Sequence, residues 1–187
     1  MGCVAVSAGH YPGAPGAAFN GTAEWPEAMK YRDAIVDELR ARHLDVVVVP
    51  AGTLTMKLGL INSKHADAAL EVHFNSDALR AGRGSETLYT PGSLLGHRLA
   101  VLIQKKIAPL CWPDRGVKEG WYRMDRPGVK DYAEDVEGDE VIDAFLSKTD
   151  CPAVIVEPFF IHELERIESA RSAVCEAIAD ALGEFLE

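Results

Sequence analysis

The sequence predicts an α/β fold: a single layered domain with a mostly parallel, twisted central sheet flanked by helices. Three observations carry that prediction. Short apolar runs alternate with stretches of helical periodicity, as a parallel sheet joined by helical crossovers requires. Several runs, among them Val46-Val47-Val48-Val49 and Ala153-Val154-Ile155-Val156, are unbroken by polar residues. That is the pattern of strands covered on both faces. The chain has 187 residues, 48% of them apolar, which suits one domain with a buried core.

The elements follow in order. Residues 3–8 read as a strand. Residues 24–43 have helical spacing, with Ala28, Tyr31, Ile35 and Leu39 on one face. The β-branched run 46–49 is a buried strand. Residues 54–66 form a helix, 68–73 and 86–89 strands, and 94–108 a further helix. Residues 153–156 make another buried strand. Leu164, Ile167, Val174, Ile178 and Leu182 then recur at helical spacing. The segment 112–138 is rich in Gly, Pro, Asp and Arg and has little periodicity, so it reads as a long surface loop bordering a groove. With no repeat, linker or low-complexity tract, residues 1–187 are expected to form one domain.

The formal net charge is -10, which disfavours a role in neutralising nucleic-acid phosphates. No stretch is long and apolar enough to span a bilayer, so membrane insertion is not expected. The four cysteines, Cys3, Cys111, Cys151 and Cys175, include no Cys-x-x-Cys pair, which disfavours a zinc knuckle or a thioredoxin-type site. Scattered reduced thiols fit synthesis in a cytosol. The N-terminus lacks the basic start and long apolar stretch of a secretory signal, and Val6 breaks the myristoylation pattern.

Three strand-like runs end in residues able to bind metal or move protons. The first reaches Gly9-His10, the third ends at His73, and the last ends at Glu157. In open parallel sheets, ligands gather beyond the carboxyl ends of strands, so these residues are expected on one edge. Glu24 opens the first helix beside Pro26, at that same edge. Two imidazoles and a carboxylate are a known set for catalytic zinc, with a fourth position for water. A further carboxylate can take the proton from that water and pass it to a leaving amine. Each residue also has a plainer reading. His10 and His73 could be hydrogen-bonded loop residues. Glu24 could be a carboxylate favouring the helix dipole. Glu157, directly after a buried run, needs a partner or a job.

In these residues the chain resembles the zinc-dependent N-acetylmuramoyl-L-alanine amidases, the peptidoglycan amidases of bacterial division enzymes and phage endolysins. Gly9-His10, a Gly/Pro/Ala-rich loop and Glu24 match the family's first two zinc ligands and their spacing. Asn62, Ala66-Asp67 and His73-Phe74-Asn75 resemble the segment ending in the third. Gly84 to Tyr89 resembles the strand that follows, Arg115-Gly116-Val117-Lys118 a recurring loop motif, and Pro152 to Phe160 the segment bearing the catalytic glutamate, here Glu157. The match runs from about Val4 to Ile167. The resemblance implies zinc held by His10, Glu24 and His73, with Glu157 as general base and then general acid. The amide cleaved would join the lactyl group of N-acetylmuramic acid to L-alanine.

The chain departs from the family pattern in places. Ser7-Ala8 replace a common Asp-Pro, Lys57 replaces an arginine, His162 an asparagine, and Glu71 a small polar residue. Glu71 should share a face with His73. It reads either as an outer partner of a ligand or, the preferred reading, as a solvated charge near the strand end. His43, His65 and His97 read as surface or helix-end groups. Trp112, Trp121 and Tyr122 could stack on substrate or anchor the loop by burial. A catalytic domain without a wall-binding module or signal peptide, acting as a monomer on peptidoglycan after holin-type release, is the expectation for a phage or prophage endolysin, with a bacterial spore or autolytic enzyme as the alternative setting. The rival classes are another zinc peptidase or acylamino-acid hydrolase, and a non-catalytic cell-wall-binding module.

Overall fold

The computed structural model describes residues 2–123 and 140–187. A six-stranded sheet runs through it, built from β1 (Cys3–Ala8), β4 (Asp45–Val48), β5 (Ala68–Val72), β6 (Ser85–Tyr89), β7 (Asp114–Glu119) and β10 (Ala153–Glu157). The strand order is β4-β1-β5-β10-β6-β7, and every pairing is parallel except that of β10 with β6. Two small ribbons accompany it: β2 (Ala18–Phe19) with β3 (Thr22–Ala23), and β8 (Trp121–Arg123) with β9 (Glu140–Ile142).

Helices cover both faces, and strand alternation decides which residues meet them. On one side, Val4, Val6, Leu70, Val72, Val154 and Val156 pack against α1 (Glu24–Ala41), α3 (Leu94–Ile107) and α6 (Arg171–Leu186). Tyr31, Ile35 and Leu39 of α1 and Leu99, Ile103 and Ile107 of α3 are fully buried there. Each such side chain contributes roughly 1.5–3 kcal/mol by leaving water. The Tyr31 hydroxyl donates to the Ile167 carbonyl at 2.7 Å, which ties α1 to α5 (Leu164–Ser169). On the other side, Ala5, Ala69, Leu88, Ala153 and Ile155 meet Ile61 of α2 (Leu54–Ser63) and Phe145 and Leu146 of α4 (Ala144–Ser147). Ser7, Glu71 and Glu157 have the parity of this second face.

The fold class read from the sequence is the one observed. Three segments differ from the expectation. The run 46–49, expected as a strand buried on both faces, supplies the edge strand β4, whose Val46, Val47 and Val48 are only half-buried because one side of the strand has no neighbour. The expected loop over 112–138 contains β7, an edge strand parallel to β6, and enters β8; residues 124–138 lie outside the described residues. The strand escapes a hydrophobicity reading because Arg115 and Lys118 carry polar contacts rather than apolar ones, and charged side chains are common on sheet edges. The C-terminal helical pattern is two helices, α5 and α6, separated at Ala170. His43, His65 and His97 are exposed, as expected. All four cysteines are free thiols. Trp112 is 71% exposed, so it does not anchor its segment by burial, whereas the Trp121 indole donates to Glu119 at 3.0 Å. Asn62 clasps the approach to β10: its amide donates to the Lys148 carbonyl at 2.9 Å and its oxygen accepts from Asp150 N at 3.1 Å.

Candidate metal centre

The carboxyl ends of β1, β5 and β10 lie side by side, because these strands are neighbours and parallel. His10 follows β1 and has φ of 63°, a left-handed backbone that costs a non-glycine residue about 1–2 kcal/mol. That turn carries its ring back towards the sheet edge. His73 follows β5 and is held in line by its backbone N–H, which donates to the Val156 carbonyl at 2.9 Å. Glu24 is the first residue of α1 and 4% exposed. The loop between β1 and α1 is pinned to that helix start, with Glu24 N donating to the Ala17 carbonyl and Trp25 N to that of Pro15.

Donor atoms of His10, Glu24 and His73 lie within 4.8 Å of one another. Glu24 divides its oxygens between the rings: Oε2 is 3.1 Å from His10 Nε2 and Oε1 is 2.9 Å from His73 Nδ1. Oε1 also accepts from the Phe74 N–H at 2.9 Å, which fixes the carboxylate. Donors about 2.1 Å from a shared zinc in a tetrahedron lie roughly 3.4 Å apart, so this set fits such an ion with small adjustments. The plainer reading of Glu24, an acid favouring the dipole of α1, is also true of it and does not compete with a ligand role.

Burial opposes ionisation of the Glu24 carboxyl. Hydrogen bonds and charge attraction from His10 and His73 outweigh it and hold the group well below the usual carboxylate range. Burial likewise opposes charge on His73, but the flanking carboxylates of Glu24 and Glu71 raise it to about 9. Two carboxylates thus converge on one imidazole, and the site favours a cation.

Two glycines make room for this arrangement. A Cβ on Gly9 would sit 2.5–2.6 Å from three atoms of the His73 ring. Gly16, with φ of 77°, would place a Cβ 2.6 Å from His10 Cδ2 and 2.7 Å from Glu24 Oε2. Gly9→Ala and Gly16→Ala are each expected to weaken zinc binding at least about 10-fold, the size of effect seen when ligand orientation is disturbed. Gly59→Ala, where an added Cβ meets nothing within 4 Å in α2, should keep zinc and gain about 0.8–1.0 kcal/mol. Titration calorimetry and thermal melts of the three variants check this.

Glu157 ends β10 on the strand next to His73 and is fully buried. It stands outside the donor group of His10, Glu24 and His73. Its register partner across the antiparallel pairing is Glu86, also fully buried. Arg115 Nε at 2.9 Å and Lys118 Nζ at 2.6 Å donate to Glu86 Oε2, and the Asn75 amide donates to Oε1. The Arg-Gly-Val-Lys motif therefore neutralises the carboxylate beside Glu157. The Arg115 guanidinium also lies 5.1 Å over the Phe160 ring.

Glu71 is not the solvated charge preferred from the sequence. It is 4% exposed and hydrogen-bonded on both oxygens. Lys57, which should have drawn attention as a charge inside an apolar helix pattern, is its partner. His162 lies edge-on to Phe19 at 6.2 Å and tilted against Phe160 at 5.7 Å.

A family model described as N-acetylmuramoyl-L-alanine amidase matches residues 4–186. No curated protein matches the sequence. The chain resembles the N-acetylmuramoyl-L-alanine amidase of Clostridium difficile 630, with 20% identity, a TM-score of 0.82, and 99% of this chain and 96% of that one covered. It also resembles the amidase AmiC2 of Nostoc punctiforme, at 19% identity and a TM-score of 0.79, covering 99% and 97% of the two chains. The catalytic domain of an endolysin targeting Clostridia difficile is similar at 20% identity and a TM-score of 0.74, with 98% of each chain covered.

Proposed function

The chain belongs to the N-acetylmuramoyl-L-alanine amidase family, and from that premise we propose that it is a zinc-dependent hydrolase of the amide joining N-acetylmuramic acid to L-alanine in peptidoglycan, working as a phage or prophage endolysin. Its substrate class, peptidoglycan, follows from the family. The observation that carries the zinc reading is the convergence of His10, Glu24 and His73 within 4.8 Å at the sheet edge where Glu157 ends the adjoining strand. Zinc held by these three residues would polarise the scissile carbonyl and make water nucleophilic near neutral pH.

The protein's own groups do the rest. Glu24 and the two imidazoles would hold the cation at the sheet edge, with the Phe74 N–H fixing the Glu24 carboxylate. Glu157 accepts the proton of the attacking water and delivers it to the nitrogen of the departing L-alanine. Burial of Glu157 shields that transfer from bulk water. Arg115 and Lys118 keep the neighbouring Glu86 charge compensated, so that Glu157 acts beside a neutralised pair rather than a free anion.

The family match and the assembled donors favour this reading over an acylamino-acid hydrolase or a non-catalytic wall-binding module. The likeness to an endolysin catalytic domain is in keeping with the endolysin setting, in which a holin would open the membrane to the enzyme. Among the described residues, no helix is long and apolar enough to cross a membrane. Stripping metal with a chelator should abolish the clearing of a peptidoglycan suspension, and zinc should restore it. Produced inside host cells, the protein should lyse them only after the membrane is permeabilised. Chelator-resistant clearing would remove zinc from the account.

A further inference from the structure

We propose that Glu71, held in place by Lys57 and Ser7, positions His73 so that Nδ1 is the nitrogen presented to the metal. The inference rests on the zinc reading of the site. His73 Nε2 lies 3.0 Å from Glu71 Oε1, while Nδ1 lies 2.9 Å from Glu24 Oε1 inside the donor cluster. The two ring nitrogens are thus assigned opposite tasks. Nε2 carries the proton and donates it to Glu71, which leaves the Nδ1 lone pair for the cation. A carboxylate behind a ligating histidine fixes the ring's tautomer and orientation and raises its basicity.

Glu71 is itself held from the far side. Its Oε2 accepts from Lys57 Nζ at 2.7 Å and from the Ser7 hydroxyl at 2.7 Å. Ser7 is its register partner on β1, so the backbone pairing sets that contact. Lys57 reaches in from α2 and also donates to the Ala8 carbonyl, one residue before Gly9. Lys57 and Glu71 are each 4% exposed. A buried ion pair is a poor source of stability, since apolar residues of similar volume usually do as well or better. What the pair does supply is a fixed acceptor on the outer nitrogen of His73. Lys57 compensates the charge of Glu71, so the carboxylate can stand behind the ring without a stranded anion.

The test removes the ion pair first and then asks what the acceptor does. Lys57→Met combined with Glu71→Leu should fold with stability at or above that of the natural chain. Its zinc affinity, read by competition with a chromogenic chelator, should fall 10–100-fold. Lys57→Met combined with Glu71→Gln keeps an oxygen for the Nε2 proton and should recover affinity to within a few-fold of the natural chain. In the zinc-loaded natural protein, nitrogen-15 spectra of labelled histidine should show the proton of His73 on Nε2. Equal zinc affinity in the Leu and Gln variants, or a His73 proton on Nδ1, would overturn the positioning role while leaving the metal site standing. Failure of the natural chain to bind zinc at all would overturn the metal site and the inference with it.

Discussion

Glu157→Gln is expected to bind zinc at the natural stoichiometry and affinity while kcat on peptidoglycan falls about 10²–10⁴-fold, the range typical for losing a general acid–base group. The substitution keeps the side chain's shape in a fully buried position, so the fold should be undisturbed. It removes only the capacity to take a proton from water and return it to the amine. KM should change little, because Glu157 stands outside the donor set of His10, Glu24 and His73. Metal analysis beside steady-state kinetics separates this from a site that has simply lost zinc. Activity retained in metal-verified Glu157→Gln would remove the role given to this residue.

The second large effect is expected at the ligands. His73→Ala and His10→Gly should both lose zinc and turnover together. The fall in affinity should exceed the roughly 10–100-fold cost of disturbing an outer partner. Their effects on the metal-free fold should differ. His73→Ala leaves Glu24 and Glu71 facing one another without the imidazole that bridges them, so it should destabilise the metal-free chain. His10→Gly relieves a left-handed backbone at φ of 63°, worth about 1–2 kcal/mol, against roughly 0.5–1 kcal/mol of extra chain entropy. The change also removes the 3.1 Å contact of His10 Nε2 with buried Glu24 Oε2, which offsets that relief, so its metal-free form should lose less stability than that of His73→Ala. Calorimetric melts in chelator, beside zinc titrations, check both.

The legibility of this protein in its sequence follows from where polar residues stand relative to apolar runs. β1, β5 and β10 are buried on both faces and read directly as strands. Their neighbouring, parallel arrangement then brings His10, His73 and Glu157 to one edge. Glu24 could be placed because a helix after the first strand must start at that edge. β7 was not legible, since an edge strand needs few apolar residues and its cations serve Glu86 instead. The division of the last helical stretch at Ala170 was hidden because the apolar spacing is kept on both sides of the break. Glu71 was misread because a charge two residues from a strand end can look solvated. Its burial depends on Lys57, 14 residues earlier on a separate helix, and no local pattern reveals that pairing.

The glycines show the same limit. Gly9 and Gly16 look like loop punctuation in the sequence. In the structure they are the places where the rings of His73 and His10 pass closest to the backbone. What the sequence could indicate was the chemical set; what it could not was the space that set requires.

The central claim is hydrolysis of the muramoyl–alanine amide, and the most direct measurement is mass spectrometry of purified peptidoglycan digested by the zinc-loaded protein. The account predicts stem peptides with a newly free N-terminal L-alanine, glycan strands carrying intact lactyl groups, and no new reducing sugar ends. Cleavage within the stem peptide, new reducing ends, or no new N-terminal alanine would contradict it.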